Sequence, residues 1–175
     1  MKLFFVLVST FAFNLSAHAQ LGLISLADLA GTWNSPCYSA GNGATEHSQL
    51  SFTPGGEVTE TARVSFDSQC SATFYTAVAK YDFSINADRL SGTVTPFDST
   101  LEFDTQAGVD GANQSMACGF SNWSLAVPQT IISTSCGTRD TSNLQMGKVD
   151  ANTLRITECQ PGTTTCSTVD FVRGD

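Results

Sequence analysis

Residues 74–85 read FYTAVAKYDFSI and contain the clearest two-residue repeat in the chain. Successive side chains of a β-strand point to opposite faces, so this repeat predicts a strand with one buried face. The other face is mainly polar, with Phe74 and Val78 as its apolar exceptions. The apolar face comprises Tyr75, Ala77, Ala79, Tyr81, Phe83 and Ile85.

Similar but weaker repeats flank this stretch. Residues 48–53 and 57–66 lie on either side of Pro54-Gly55-Gly56, which is typical of a hairpin. Val58, Ala62, Val64 and Phe66 are expected to share one face, on which Glu60 is the charged exception. Further strands are predicted at 89–95, 100–105, 120–127, 130–135, 143–149, 153–159 and 167–173, and a Gly-rich loop at 106–115. This count of about nine or ten short strands predicts an all-β sandwich or barrel.

The composition supports this fold class. The chain has 20 serines, 22 threonines and 14 glycines, and only 14% of its residues are charged. Helical surfaces are usually rich in Lys, Glu and Arg, whereas Thr suits strands and Gly suits turns. The formal charge of −8 argues against nucleic acid and anionic membranes as partners, because both require clustered cations.

The first 19 residues resemble a secretory signal peptide. Lys2 precedes an apolar run at 3–8, and Ala17-His18-Ala19 forms an A-x-A cleavage site. We therefore expect cleavage near Ala19, a domain over 20–175 and an extracellular or periplasmic location. No later segment is long and apolar enough to span a membrane.

The six cysteines are expected to form three disulfides. Their number is even, and no close Cys/His pair suggests a metal site. Six cysteines allow fifteen pairings. We prefer pairing in sequence order, and the last pair is the best supported because it encloses the turn residues Pro161-Gly162. The preferred pairs are Cys37–Cys70, Cys118–Cys136 and Cys159–Cys166.

The stretch 26–33, LADLAGTW, resembles the entry to a lipocalin barrel. In that family a short helix closes one barrel end, and a G-x-W motif, here Gly31 and Trp33, opens the first strand. An Arg near the last strand covers the Trp, and Arg173 is suitably placed. The resemblance implies an antiparallel up-and-down barrel with the helix as an N-terminal plug. It also favours an internal site for a small apolar or amphipathic ligand.

Catalytic groups are sparse. His47 is the only histidine after residue 19, no G-x-S-x-G motif is present, and we expect His47 on the surface. A glycosidase-like pair or a calcium site would have to come from the acidic residues Asp98, Glu102, Asp104 and Asp110, which we expect to be solvated. We therefore expect no enzymatic activity, metal or cofactor.

The aromatic residues are the best candidates for ligand binding. They are Phe52, Tyr75, Tyr81, Phe83, Phe103 and Trp123. Two interpretations stay open: they fill the core, or the small Ala77 and Ala79 leave a cavity beside them. We expect a secreted, monomeric binding protein for a small hydrophobic or amphipathic molecule. The alternative is a protein-binding module or inhibitor that acts through loops at 39–47 and 106–115. Asn113 and Asn122 lie in N-glycosylation sequons.

Overall fold

A computed structural model describes residues 21–137, 140–159 and 166–174. The expected signal peptide lies outside the described residues. The strands are β1 Gly31–Asn34, β2 Tyr38–Gly41, β3 Ala44–Phe52, β4 Glu57–Ser65, β5 Thr73–Ile85, β6 Ser91–Phe103, β7 Gln129–Thr130, β8 Ser142–Lys148, β9 Thr153–Cys159 and β10 Cys166–Arg173. The helices are α1 Leu26–Leu29 and α2 Gln106–Ser115, followed by a 3-10 turn at Ala117–Gly119.

Eight of the strands form a closed antiparallel barrel. Strands β3, β4, β5, β6, β8, β9 and β10 pair in sequence order. Strand β1 closes the barrel because it pairs with both β3 and β10. Strand β2 adds to β3, and β7 adds to β6. The all-β up-and-down barrel predicted from the sequence is confirmed.

Helix α1 lies at one end of the barrel, beside Trp33. The Trp33 indole is fully buried and donates a hydrogen bond to the Leu29 carbonyl at 2.7 Å. The Arg173 guanidinium lies 4.3 Å from the centre of the Trp33 ring and donates to the carbonyls of Ala30 and Asp28. We call the buried residues at this end the plug cluster: Ile24, Leu29, Trp33, Leu50, Phe52, Val58, Phe83, Val94, Met146, Leu154 and Phe171.

Residues 106–115 form helix α2, so the prediction of a loop there is wrong. The Thr105 side chain caps the helix by accepting a hydrogen bond from the Gly108 amide at 3.1 Å. Val109 and Ala112, three residues apart, are buried. Gly108 serves packing, since a Cβ there would lie 2.9 Å from the Phe103 ring. The prediction of a loop relied on the glycine content of residues 106–115.

A second apolar cluster, which we call the cap cluster, forms where α2 packs on the barrel. It comprises Leu101, Phe103, Val109, Ala112, Cys118, Trp123 and Ile131. The predicted strands at 120–127 and 130–135 are wrong apart from Thr130 in β7. The reason is local: the Asn113 side chain binds the backbone N–H and C=O of Trp123 at 2.7 and 3.1 Å, so these groups join no strand ladder.

Three further boundaries differ from the prediction. The strands expected at 89–95 and 100–105 are one strand, β6, with an extra residue, Phe97, between the partners of Lys80 and Tyr81. The loop expected at 39–47 is a hairpin whose turn is Asn42-Gly43. Strand β4 ends at Ser65, so Phe66 leaves the inward face and is 59% exposed.

The three disulfides have the pairing preferred from the sequence. Cys37 is bonded to Cys70, Cys118 to Cys136, and Cys159 to Cys166. The second bond holds the cap cluster together, because Cys118 is part of it. None of the helices in the described ranges has the length and apolar character needed to cross a membrane.

Candidate ligand site inside the barrel

On strands β3 to β6, small and polar inward-facing residues lie between the plug and cap clusters. Along β5 the inward residues are Phe83 in the plug cluster, Tyr81 against it, then Ala79, and then Ala77 against the cap cluster. Strand register extends this level to neighbouring strands: Ala79 pairs with Glu60 and Ser99, and Ala77 with Ala62. We call the set the middle layer: Glu46, Ser48, Glu60, Ala62, Ala77, Ala79 and Ser99.

The middle layer is not filled by large side chains. Ala62, Ala77 and Ala79 point inward, yet they are only half-buried. In a packed core, inward-facing alanines would be covered by their neighbours, as Leu50 and Phe83 are in the plug cluster. We infer from this partial exposure that space remains beside the three methyl groups inside the barrel.

Glu46 occupies the β3 side of the layer and is almost completely buried, with 3% of its surface exposed. The Tyr38 hydroxyl, from β2, donates a hydrogen bond to its carboxylate, and the Ser48 hydroxyl donates another at 2.6 Å. Both bonds go to the same oxygen, Oε1. Burial and the negative charge of Glu46 raise the pKa of Tyr38 well above its usual value, so Tyr38 is a neutral donor.

Glu60 occupies the β4 side of the layer. The Tyr81 hydroxyl donates to its Oε2 at 2.9 Å. Burial raises the pKa of Glu60 to about 7, and the negative charges of Glu46 and Glu158 act in the same direction. The hydrogen bond from Tyr81 lowers this pKa but does not cancel the other effects. Glu60 therefore exchanges a proton near neutral pH.

Ser99 completes the layer on β6. Its side chain is 9% exposed, and its Oγ has no hydrogen-bond partner within the described ranges. Buried hydroxyls normally have a partner, because losing water without replacement costs about 1–3 kcal/mol. Ser99 is thus a buried, inward-facing polar group whose hydroxyl has no hydrogen-bond partner among the described residues.

No cationic side chain of the described residues belongs to this layer. Several point outward because they alternate with inward residues: His47, Arg63, Lys80 and Arg155. Lys80 and Arg155 form ion pairs with Asp98 and Asp170 at 3.3 and 2.7 Å. Others lie at the plug end, where they bind Asp28 or backbone carbonyls: Arg89, Lys148 and Arg173. The layer therefore has acidic groups without a cationic partner from those ranges.

The aromatic residues singled out from the sequence fall into three groups. Phe52 and Phe83 pack edge to face at 5.5 Å in the plug cluster. Phe103 and Trp123 do the same at 5.0 Å in the cap cluster. Only Tyr75 and Tyr81 border the middle layer, since they flank Ala77 and Ala79 on the inward face of β5.

The acidic residues considered from the sequence lie on the outer surface. Asp98 pairs with Lys80, and the Asp104 carboxylate accepts a hydrogen bond from Thr76 at 2.9 Å. Asp110 accepts one from Gln106 at 2.8 Å, and Glu102 lies opposite Thr76 on the outward face. Within the described ranges, no group of three or more His, Cys, Asp or Glu side chains could hold a metal ion.

Sequence reasoning did not identify the polar members of the middle layer as a site. Glu60 was noticed only as an exception on an apolar face, and that exception was the available signal. Glu46 and Ser48 continue the two-residue repeat of Leu50 and Phe52, so their inward direction could have been read from the same pattern. Tyr38 and Ser99 had no comparable signal, since their positions depend on strand pairing.

No family model matches this chain, and the search of curated proteins gives no significant match either.

Proposed function

We propose that this protein is a secreted, lipocalin-like, non-enzymatic binding protein that holds a small amphipathic molecule in the middle layer of its barrel. The observation that carries the proposal is the half-buried state of the inward-facing Ala62, Ala77 and Ala79. Barrels of eight strands have room for one small ligand when their inward side chains are small. The proposal follows from that space together with its polar lining.

An amphipathic ligand fits the order of the surrounding residues. The cap side presents Tyr75, whose ring centre lies 6.1 Å from that of the buried Phe103, and the plug side presents Tyr81, which packs against the plug cluster. Between them lie the Glu60 carboxyl and the Ser99 hydroxyl. A ligand with an apolar body and one polar group would cover the rings and satisfy the unpartnered hydroxyl at once.

Secretion is part of the proposal. It is supported by three disulfides, which form and persist in oxidising compartments, and by the signal peptide expected at 1–19. The alternative, a protein-binding module, has less support. Its two expected loops contribute to the fold instead: the β2–β3 hairpin supplies Tyr38 and Glu46 to the interior, and α2 buries Val109.

The test is to fill the space. The variant Ala79→Phe places a ring in the middle layer, and the matched control Val78→Phe places the same ring on the outward face of β5. Binding of N-phenyl-1-naphthylamine, a small apolar fluorophore, is measured by fluorescence titration. We expect Ala79→Phe to weaken binding by about tenfold or more, equivalent to at least about 1.4 kcal/mol. Unchanged binding in a folded Ala79→Phe variant would rule out the barrel interior as the site.

A further inference from the structure

We infer that the ligand is an organic cation, a protonated amine on an aromatic or aliphatic body, whose ammonium group lies between Glu60 and Ser99. This inference rests on the proposed function and names the class of molecule that the site accepts. It narrows the small hydrophobic or amphipathic ligand expected from the sequence to one that carries a positive charge.

The first feature that favours a cationic ligand is the negative charge of the middle layer. Glu46 and Glu60 lie on neighbouring strands and both point into the barrel. No Lys, Arg or His of the described ranges joins them, as shown above. Removing carboxylates from water is costly unless a cation or several hydrogen bonds compensate. An ammonium group would supply the positive charge that the described side chains do not.

The second feature that favours a cationic ligand is the position of Glu60 relative to Ser99. Glu60, Ala79 and Ser99 occupy adjacent positions on β4, β5 and β6. Because strands in a sheet are about 4.8 Å apart, the Cα atoms of Glu60 and Ser99 are separated by roughly 10 Å, with Ala79 on the strand between them. An ammonium has three N–H donors, so one group can bind the Glu60 carboxylate and the Ser99 hydroxyl together.

The unpartnered Ser99 hydroxyl is the observation that distinguishes this place from an ordinary acidic cluster. It is more than nine-tenths buried, and it points to the same side of the sheet as Glu60. Its lone pairs can accept from an ammonium, whereas a purely apolar ligand would leave it unsatisfied. The hydroxyl therefore favours a polar group of the ligand at this position, and the Glu60 carboxylate on the same level selects a hydrogen-bond donor.

The tyrosines suit a cation as well. The rings of Tyr75 and Tyr81 flank the layer, and the faces of such rings attract positive charge. The Tyr38 and Tyr81 hydroxyls donate to Glu46 and Glu60, which fixes the direction of both carboxyl groups. A carboxylate ligand such as a fatty acid would meet like charges here, so the site discriminates against anions.

The same arrangement makes binding depend on pH. The groups that act on Glu60 are the carboxylates of Glu46 and Glu158 and the hydroxyl of Tyr81, with Tyr38 neutral beyond Glu46. The pKa of Glu60 in the empty protein is about 7, so an ammonium displaces its proton. If binding requires the ionised carboxylate, affinity falls by about a hundredfold between about pH 8 and pH 5.

The test uses the intact, disulfide-bonded protein and two matched ligand series. One series is octylammonium, octanol and octanoate, and the other is phenethylammonium, 2-phenylethanol and phenylacetate. Affinities are measured by isothermal titration calorimetry near pH 8. We expect the ammonium to bind about tenfold or more tighter than the alcohol in at least one series, and the carboxylate to bind most weakly.

The variant Glu60→Gln should abolish the preference for the ammonium. Glu102→Gln, which removes the same charge from the outer face, should leave it unchanged. If Glu60→Gln does not fold, the pH dependence of the wild-type protein replaces it, and an affinity for the ammonium that is equal at about pH 5 and pH 8 overturns the inference.

The outcomes separate the inference from the proposed function. Equal or tighter binding of the alcohol or the carboxylate overturns the cationic ligand and leaves an internal site. Binding of the naphthylamine probe alone, with no member of either series bound, overturns it as well. If Ala79→Phe also leaves probe binding unchanged, both the internal site and the cationic ligand are refuted.

Discussion

Glu60 should control how stability changes with pH. In the folded protein the pKa of Glu60 is about 7, against an ordinary value of 4.5. The folded state therefore binds this proton more tightly than the unfolded state does. The free energy of unfolding should fall as the pH rises from about 4.5 to about 7 and level off above that. The pKa difference corresponds to a loss on the order of 3 kcal/mol.

The variant Glu60→Gln should remove this loss. A glutamine keeps an oxygen that can accept the hydrogen bond from Tyr81, but it carries no charge to bury. We expect the variant to be more stable than the wild type by about 2–3 kcal/mol near pH 8 and to match it closely near pH 4.5. The corresponding rise in melting temperature near pH 8 is roughly 5–10 °C.

The measurement is guanidinium unfolding with the disulfides oxidised, followed by tryptophan fluorescence at intervals from about pH 5 to pH 8. Glu102→Gln is the control, since Glu102 lies on the outer face and should leave the wild-type curve unchanged. Burial also raises the pKa of Glu158, so a residual slope of the same sign in Glu60→Gln would belong to that residue. Parallel curves for the wild type and Glu60→Gln would refute the reasoning.

Three further variants test the packing around the barrel. Asn113→Ala removes two hydrogen bonds to a buried tryptophan and should cost about 2–3 kcal/mol in denaturant unfolding, whereas the exposed Asn122→Ala should cost almost nothing. Gly92→Ala places a Cβ 2.2 Å from the Phe83 ring and should lower the free energy of unfolding by about 1–3 kcal/mol. The control Gly111→Ala has open space around it and should leave the melting temperature unchanged or raise it slightly. Arg173→Met should lower the free energy of unfolding by about 1–3 kcal/mol, because Trp33 loses the guanidinium over its ring and two carbonyls lose their donor. The near-UV circular dichroism should change as well. An unchanged spectrum would contradict the role of Arg173 in covering Trp33.

The strands were predictable where inward-facing and outward-facing residues alternate without interruption. The repeat at 74–85 identified the inward face of β5 because a strand in a barrel has one environment on each side. The prediction failed at Phe66, where a register shift between Val64 and Ser65 ends the alternation. Periodicity contains no information about such a shift, since it arises from pairing with a neighbouring strand.

The residues between β6 and β8 were the least predictable. Gly108 suggested a loop, but it is a contact point where Phe103 approaches α2 too closely for a side chain. Asn113 looked like a glycosylation sequon, yet its amide holds the backbone of Trp123. Both roles depend on side-chain contacts made in the folded chain, which glycine content and short motifs do not specify.

Part of the candidate site could be predicted from the sequence. Tyr75, Tyr81 and the alanines between them could be assigned to the inward face from periodicity alone. Glu60 was visible as a charged exception, but its meaning required knowing that Ser99 lies on the same level two strands away. Strand register supplies that information, and the order of residues along the chain does not.

The place where β1 meets β10 has a consequence for how the barrel opens and how it forms. The β1–β10 ladder has two residue pairs, Trp33 with Arg173 and Asn34 with Val172, and none of the three disulfides crosses it. The two sides of this seam are about 140 residues apart in the chain, so it can form only after the residues of β10 have been synthesised. In native-state hydrogen exchange, the amides of β1 and of the end of β10 should therefore exchange before those of β5 and β6, and they should do so with every disulfide intact.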